Sequence, residues 1–348
     1  MQKGKSYKYK EIHILKTKRL TSIDEAVSLL KNDEVVAFPT ETVYGLGADA
    51  TSDTAISKIF AAKGRPSDNP LIVHIGSMEQ LDGVVSDISD VSKVLMHAFW
   101  PGPLTIILPK KEGFSDVATA GLDGVGVRMP SHPIALELLK AVKLPIVAPS
   151  ANASGKPSPT LASHVLDDLD GKIAGILDGG ATGVGLESTV IDCTTKPPVI
   201  LRPGGITKEQ IEEIIGEVRV DAALVNTKDQ PRAPGMKYSH YAPNAPMTIV
   251  KGSPTFFQNI INDARLNGQK VGILTTEENK DIYDADVILT CGKKDDISLV
   301  AQSLYSVLRE FNNYDIDIIF SESFSDLGLG QAVMNRLLKA SNHRVTEE

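Results

Sequence analysis

Several short runs of this 348-residue chain carry the residue types needed to hold a small polyanion beside a polar substrate. Lys63-Gly-Arg65 sets two cations just after a predicted helix, where they can complement the helix dipole or face an anion. Pro149-Ser-Ala-Asn152 ends a predicted strand and leads through Gly155-Lys-Pro-Ser158-Pro-Thr160 into another helix, with Thr160 or a near neighbour expected as its cap. Hydroxyls and free backbone N–H groups at such a helix start make an anion site without a phosphate-binding loop. Pro39-Thr-Glu-Thr-Val-Tyr-Gly-Leu-Gly47 offers the hydroxyls of Thr40, Thr42 and Tyr44 at the end of a buried strand, where α/β sheets open their ligand crevices. Glu187-Ser-Thr189 and Arg202-Pro-Gly-Gly205 also lie at strand ends, and ordinary turn chemistry accounts for them equally well.

Two further candidates sit inside strands. Alternation puts Leu71, Val73 and Ile75 on one face and leaves Ile72 and His74 on the other; it likewise separates Val125, Val127 and Met129 from Gly126 and Arg128. A lone strand histidine is ordinarily a hydrogen-bonded core residue. Arginine on a buried strand needs a partner, because leaving it unpaired is costly. No G-x-x-x-x-G-K-[ST] run is present, so a nucleotide must be held by other means. Gly328-Leu-Gly330 lacks the third glycine and the downstream acid of a dinucleotide fingerprint and reads as a helix cap or turn.

The elements that must position these residues alternate along the chain. A capping box at Ser22 and Glu25 opens a first helix that ends near Asn32, and Val35 to Phe38 forms a buried strand stopped by Pro39. Further helices are predicted at Ala55–Ala62, Val91–Phe99, Pro133–Val142, Leu161–Leu169 and Lys208–Ile215. Strands are expected at Leu71–Ile75, Leu104–Leu108, Val125–Met129, Ile146–Ala148, Ile173–Leu177, Thr189–Asp192 and Val199–Leu201. Several of these follow one another without an intervening helix, which implies a mixed sheet. Beyond a polar stretch with Pro231, Pro234, Pro243 and Pro246, strand and helix alternate strictly, as in a small parallel-sheet domain. The expected division is therefore an N-terminal extension (1–20), an α/β domain (21–216), a linker (217–246) and a second domain (247–348).

Composition narrows the function classes. A net charge of −8 with no basic run after the first nineteen residues disfavours non-specific binding of a nucleic-acid backbone. It still allows Lys63, Arg65, Arg128 and Arg202 to converge on a small polyanion. No apolar run is long enough to span a bilayer, and the first ten residues lack the apolar stretch of a secretory signal, so a cytoplasmic protein is expected. Cys193 and Cys291 fit neither a disulfide framework nor a thiolate metal site and are expected to be inert.

Taken together, in this order and spacing, the Lys63-Gly-Arg65 and Ser150-Ala-Asn152 pairs, Pro39-Thr-Glu-Thr-Val-Tyr-Gly45 and Pro70-Leu-Ile-Val-His74 resemble the YrdC-like threonylcarbamoyl-AMP synthases in their long form. The resemblance runs from Thr21 onward. It implies a twisted mixed sheet around a basic cavity, followed by a smaller Rossmann-like parallel-sheet domain. It implies condensation of L-threonine, bicarbonate or CO2, and ATP into threonylcarbamoyl-AMP, with Mg2+ on the phosphates and no metal bound by protein ligands. Carried over residue by residue, Thr42, His74, Arg128, Ser188 and the backbone at Ala148 would surround threonine. Lys63, Arg65, Asn69, Ser150, Asn152, Ser158 and Arg202 would serve ATP, with Lys63 and Arg65 as the catalytic cations. The linker, Pro234-Gly-Met-Lys-Tyr-Ser-His-Tyr-Ala-Pro243, would place Tyr241 or its neighbours near the nucleotide. The product would pass to the machinery that transfers the threonylcarbamoyl group to tRNA. The competing reading is an RNA-binding module of a tRNA or ribosome maturation pathway, which would need no turnover.

Overall fold

The structure is a computed structural model that describes residues 16–221 and 240–348. Among these, eleven strands form one mixed sheet in the first part of the chain, and five parallel strands form a second sheet after it. The predicted helices form for the expected local reasons. Ser22 caps the helix Ile23–Lys31 through Glu25 N, and Thr207 and Gln210 close a reciprocal box on Lys208–Ile215. Asp53–Lys63 ends on Gly64, which adopts φ +61°, a left-handed conformation that glycine accepts without strain.

The middle of the large sheet runs Val36–Phe38, Gly45–Asp49, Ile146–Val147, Ile72–His74, Gly124–Arg128, Leu104–Pro109 and Thr189–Asp192 in spatial order. Ile72 pairs with Gly126 and His74 with Arg128 across a parallel register, so both sequence-selected strand residues rise side by side on one face. The opposite face packs Val73, Val127, Ile106 and Ile191 into the main core.

Three features depart from the sequence reading. Gly45–Asp49, expected as a turn, is a strand; its glycines give little strand signal, yet a Cβ on Gly47 would stand 2.8 Å from the Phe38 ring. Lys18–Leu20 pairs in parallel with Gly175–Leu177, so the extension drawn to residue 20 takes in the sheet's edge strand. Arg219–Val220 pairs with Val199–Ile200, so the segment drawn as linker from residue 217 starts with sheet. The helix Ala162–Leu169 is capped by Leu161, the neighbour of Thr160, as expected, with no side-chain capping bond. Residues 222–239, including Pro231, Pro234, Lys237 and Tyr238, lie outside the described residues.

The second domain seats on the first through its helices Ile297–Glu310 and Leu329–Ala340. Val43 and Leu186 share a core with Leu304, Tyr305, Val333 and Leu337. At Gly185, φ +79°, an added Cβ would lie 2.3 Å from Gln302 Cα, so only glycine lets the two backbones approach. Thr160 Oγ1 and Ser306 Oγ are 2.9 Å apart, and Arg309 Nη2 donates to Asp168 Oδ2 at 2.8 Å across the same boundary.

Candidate active site

Strand ends of the large sheet open a cleft of about 740 Å³ lined by Thr42, Lys63, Arg65, His74, Arg128, Ala148, Ser150, Asn152, Ser188, Arg202, His240 and Tyr241. Residues from eight separated segments thus converge on one place. At one end Arg128 is buried and oriented on three sides: Nη1 donates to Thr42 Oγ1 at 2.9 Å, Nε to Gly102 O at 3.3 Å, and Nη2 stands 2.5 Å from Glu41 Oε1. His74 beside it places Nδ1 3.1 Å from Ile72 O. A carbonyl only accepts, so Nδ1 carries the proton and Nε2 is left as the acceptor. Burial, with the charge of Arg128, pushes the His74 pKa down to about 3, so the ring is neutral at physiological pH. Ser188 Oγ lies 2.7 Å from Thr105 Oγ1, and Ala148 closes the wall.

The other end is cationic. Lys63 Nζ donates to the carbonyls of Ser150 and Asn152, the latter at 2.6 Å. Burial and the neighbouring Arg65 hold its ammonium well below the usual range. Ser150 Oγ donates to Asn152 Oδ1 at 2.5 Å, and Asn152 Nδ2 donates to the carbonyls of Ala153 and Lys156, which fixes the loop that faces Lys63. Arg202 lies between the two ends, donating through Nε and Nη2 to Ser188 O at 3.1 and 2.9 Å.

Three sequence-selected groups take other places. Asn69 is buried next to the cleft-lining Pro70 but does not line the cleft itself; its Nδ2 has no hydrogen-bond partner among the described residues. Ser158 is fully buried outside the cleft lining, and its hydroxyl donates to Glu187 Oε1 at 2.6 Å. The Tyr44 hydroxyl donates to Gly180 O at 2.8 Å and serves the fold.

Sequence reasoning missed Glu187, Tyr305 and Arg336. Glu187 lines the cleft and receives Tyr305 OH at 3.0 and 2.9 Å and Arg336 Nε at 2.8 Å, both from the second domain. Burial pushes its carboxyl up, but Arg336 and Arg202 outweigh this and hold the pKa down to about 2. A signal was present. Arg336 falls on the stripe Ala332, Val333, Leu337 and Ala340, and an arginine on the apolar face of a helix announces a buried partner.

A mixed-sheet domain closed by a smaller parallel-sheet domain, with a hydroxyl-lined subsite next to a polycationic one, is a two-domain α/β enzyme built for two polar substrates. Family models match nearly all of it: one described as telomere recombination (Sua5, YciO and YrdC) over residues 28–204, and one described as threonylcarbamoyl-AMP synthase, C-terminal domain, over residues 206–342. The threonylcarbamoyl-AMP synthase of Bacillus subtilis (strain 168) is 55% identical over 93% of this chain and 94% of its own. That of Pyrococcus abyssi (strain GE5 / Orsay) is 48% identical over 92% of this chain and 94% of its own. The crystal structure of P. abyssi Sua5 complexed with L-threonine superposes with a TM-score of 0.89 at 46% identity, covering 95% of this chain and 98% of that one. The chain belongs to the threonylcarbamoyl-AMP synthase family, in its two-domain form. Among the described residues no helix is long and apolar enough to cross a membrane.

Proposed function

We propose that this chain joins L-threonine, CO2 or bicarbonate, and ATP into threonylcarbamoyl-AMP and pyrophosphate, the activated precursor for threonylcarbamoyl modification of tRNA. The observation that carries the reading is the meeting, in one cleft, of a fixed Arg128 beside neutral His74 with the Lys63, Arg65 and Arg202 cluster.

Threonine's carboxylate takes the guanidinium of Arg128, which Thr42, Gly102 and Glu41 hold in one orientation. The hydroxyls of Thr42 and Ser188 and the free Nε2 of His74 supply partners for threonine's polar groups. The amine, in its neutral form, forms a C–N bond to CO2 and loses a proton, giving a carbamate. A carbamate oxygen then attacks the α-phosphorus of ATP, the O–P bond forms, and the bond to the β-phosphate oxygen breaks to release pyrophosphate. Both reactants are anions. Lys63, Arg65 and Arg202 offset their repulsion and stabilise the charge that gathers at the five-coordinate phosphorus. No side-chain nucleophile is needed, because holding two substrates in line supplies much of the acceleration.

Among the described residues no three His, Cys, Asp or Glu side chains are grouped to hold a metal, and the carboxylate of Glu187 is occupied by Arg336, Tyr305 and Ser158. Mg2+ is proposed to enter on the phosphate oxygens of ATP, as its counter-ion.

His240 and Tyr241, at the described end of the connecting segment, line the same cleft and would lie over the nucleotide, excluding water from the labile carbamate. The direct test is pyrophosphate release, which must require both threonine and bicarbonate. Comparable release with alanine in place of threonine would remove threonine from the reading. An RNA-binding module would instead show steep salt-dependent RNA affinity without turnover.

A further inference from the structure

The second domain does more than cover the first. We propose that Tyr305 and Arg336 are positioning residues of the substrate cleft, acting through Glu187. The inference rests on the synthase reading and adds to it a function for the second domain.

Glu187 belongs to the first domain, yet two of the three side chains that hold its carboxylate come from the second. Ser158 Oγ donates to Oε1 at 2.6 Å, Tyr305 OH reaches both oxygens at 3.0 and 2.9 Å, and Arg336 Nε donates to Oε2 at 2.8 Å. The next residue is Ser188. Its carbonyl accepts both Arg202 bonds, and its hydroxyl lies 3.2 Å from Arg202 Nη2 and 2.7 Å from Thr105 Oγ1. A displacement of Glu187 is therefore transmitted to Ser188 in the hydroxyl-lined subsite and to Arg202 in the cationic one.

The choice of residue supports positioning over adhesion. Arg336 is fully buried, and an apolar side chain of similar volume would join the two domains at lower desolvation cost. What the guanidinium and the phenol add is direction: donors aimed at one carboxylate. The same pair also seats the connecting segment. The Tyr241 ring centroid lies 5.1 Å from that of Tyr305, and Arg336 Cζ stands 5.8 Å over the Tyr241 ring. Tyr241 has φ +67°, a conformation that a tyrosine keeps only when its surroundings enforce it.

Tyr305→Phe tests this with the least disturbance, because it removes one hydroxyl and keeps the packed ring. Full-length wild type, Tyr305→Phe, Glu187→Gln, the double variant, Arg336→Met and Arg336→Lys are compared by calorimetric threonine binding, by KM and kcat for pyrophosphate release, and by thermal unfolding. Tyr305→Phe is expected to remain folded, to weaken threonine binding about tenfold, and to raise the KM for ATP by a similar factor, as for loss of one hydrogen bond to a charged group. Because both side chains act through one contact, the double variant should lose no more than Glu187→Gln alone. Arg336→Lys should recover part of what Arg336→Met loses. Wild-type threonine affinity and KM in Tyr305→Phe, with only a lower unfolding midpoint, would overturn the proposal and leave a brace between domains. Additive losses in the double variant would also overturn it, since Tyr305 would then act independently of Glu187. If Arg336→Met does not fold, the Tyr305 and Glu187 cycle decides alone. If wild type releases no pyrophosphate, the synthase reading fails, while the calorimetric cycle still decides the positioning claim.

Discussion

Removing Arg128 should damage two things at once, and a second substitution separates them. Its side chain is 5% exposed and that of Glu41 13%, with 2.5 Å between Nη2 and Oε1, so the pair is screened little by solvent. Neither Glu41 oxygen finds a hydrogen-bond donor of good geometry among the described residues, which leaves Arg128 as its counter-charge. Arg128→Ala should thus cost about 3–5 kcal/mol of stability from the stranded carboxylate. It should also lose the charge-assisted contact to threonine, about 3 kcal/mol or roughly a hundredfold in affinity. In Glu41→Gln/Arg128→Ala the stranded charge is gone, and most of the lost stability should return while threonine binding stays weak. The assays are urea unfolding and threonine calorimetry on the full chain. Near-normal threonine affinity in the folded double variant would refute the assignment of Arg128 to the substrate carboxylate and reduce it to a structural partner of Glu41.

The remaining expectations concern the other groups of the cleft. Lys63→Ala should lower kcat for pyrophosphate release at least tenfold while changing threonine affinity little, since its charge matters where phosphate charge gathers; single-turnover rates check this. Stability should fall with acid below pH 6.5. His74, held to about 3 against an ordinary 6.5, is neutral when folded and charged when unfolded across that window, so the unfolded state binds the extra proton. Between pH 6.5 and 4.5 this one group accounts for about 2–3 kcal/mol, and His74→Gln should flatten the pH dependence of urea unfolding there. A chain ended at residue 221 should lose most activity even where it folds, because Glu187 would lose Tyr305 and Arg336 and Val43 and Leu186 would be uncovered. Full pyrophosphate release from that chain would contradict it.

How much of this was legible in the sequence depended on whether a signal was local. Helix starts at Ser22 and Thr207 were readable because the cap and its acceptor lie three residues apart. The shared face of His74 and Arg128 was readable from alternation, although their adjacency required knowing that the two strands pair. The strand Gly45–Asp49 was not readable, since its glycines are explained by the Phe38 ring above them and not by any local preference. Short edge strands such as Lys18–Leu20 carry too few residues for alternation to register. The bond from Ser158 to Glu187 spans 29 positions, and Glu187's other donors are more than a hundred positions away. Such a network is invisible until the domains are brought together.

The charge arrangement explains how so basic a cleft persists in a chain of net charge −8. Several basic groups in and around it lie against carboxylates. Glu41 faces Arg128, Glu187 lies near Arg202 and binds Arg336, and Asp168, nearby at the domain boundary, holds Lys156 and Arg309. These charges are thereby compensated before any substrate arrives. Lys63 is different. Among the described residues its hydrogen bonds go to two carbonyls and the amide oxygen of Asn152, none of which carries a charge, and its ammonium is held well below the ordinary range by burial. A cation so placed gains from an incoming anion, which would supply a charged partner and raise its pKa. On the synthase reading, the phosphates of ATP would be that anion, and binding them would hold the positive charge of Lys63 at the point where phosphoryl charge develops.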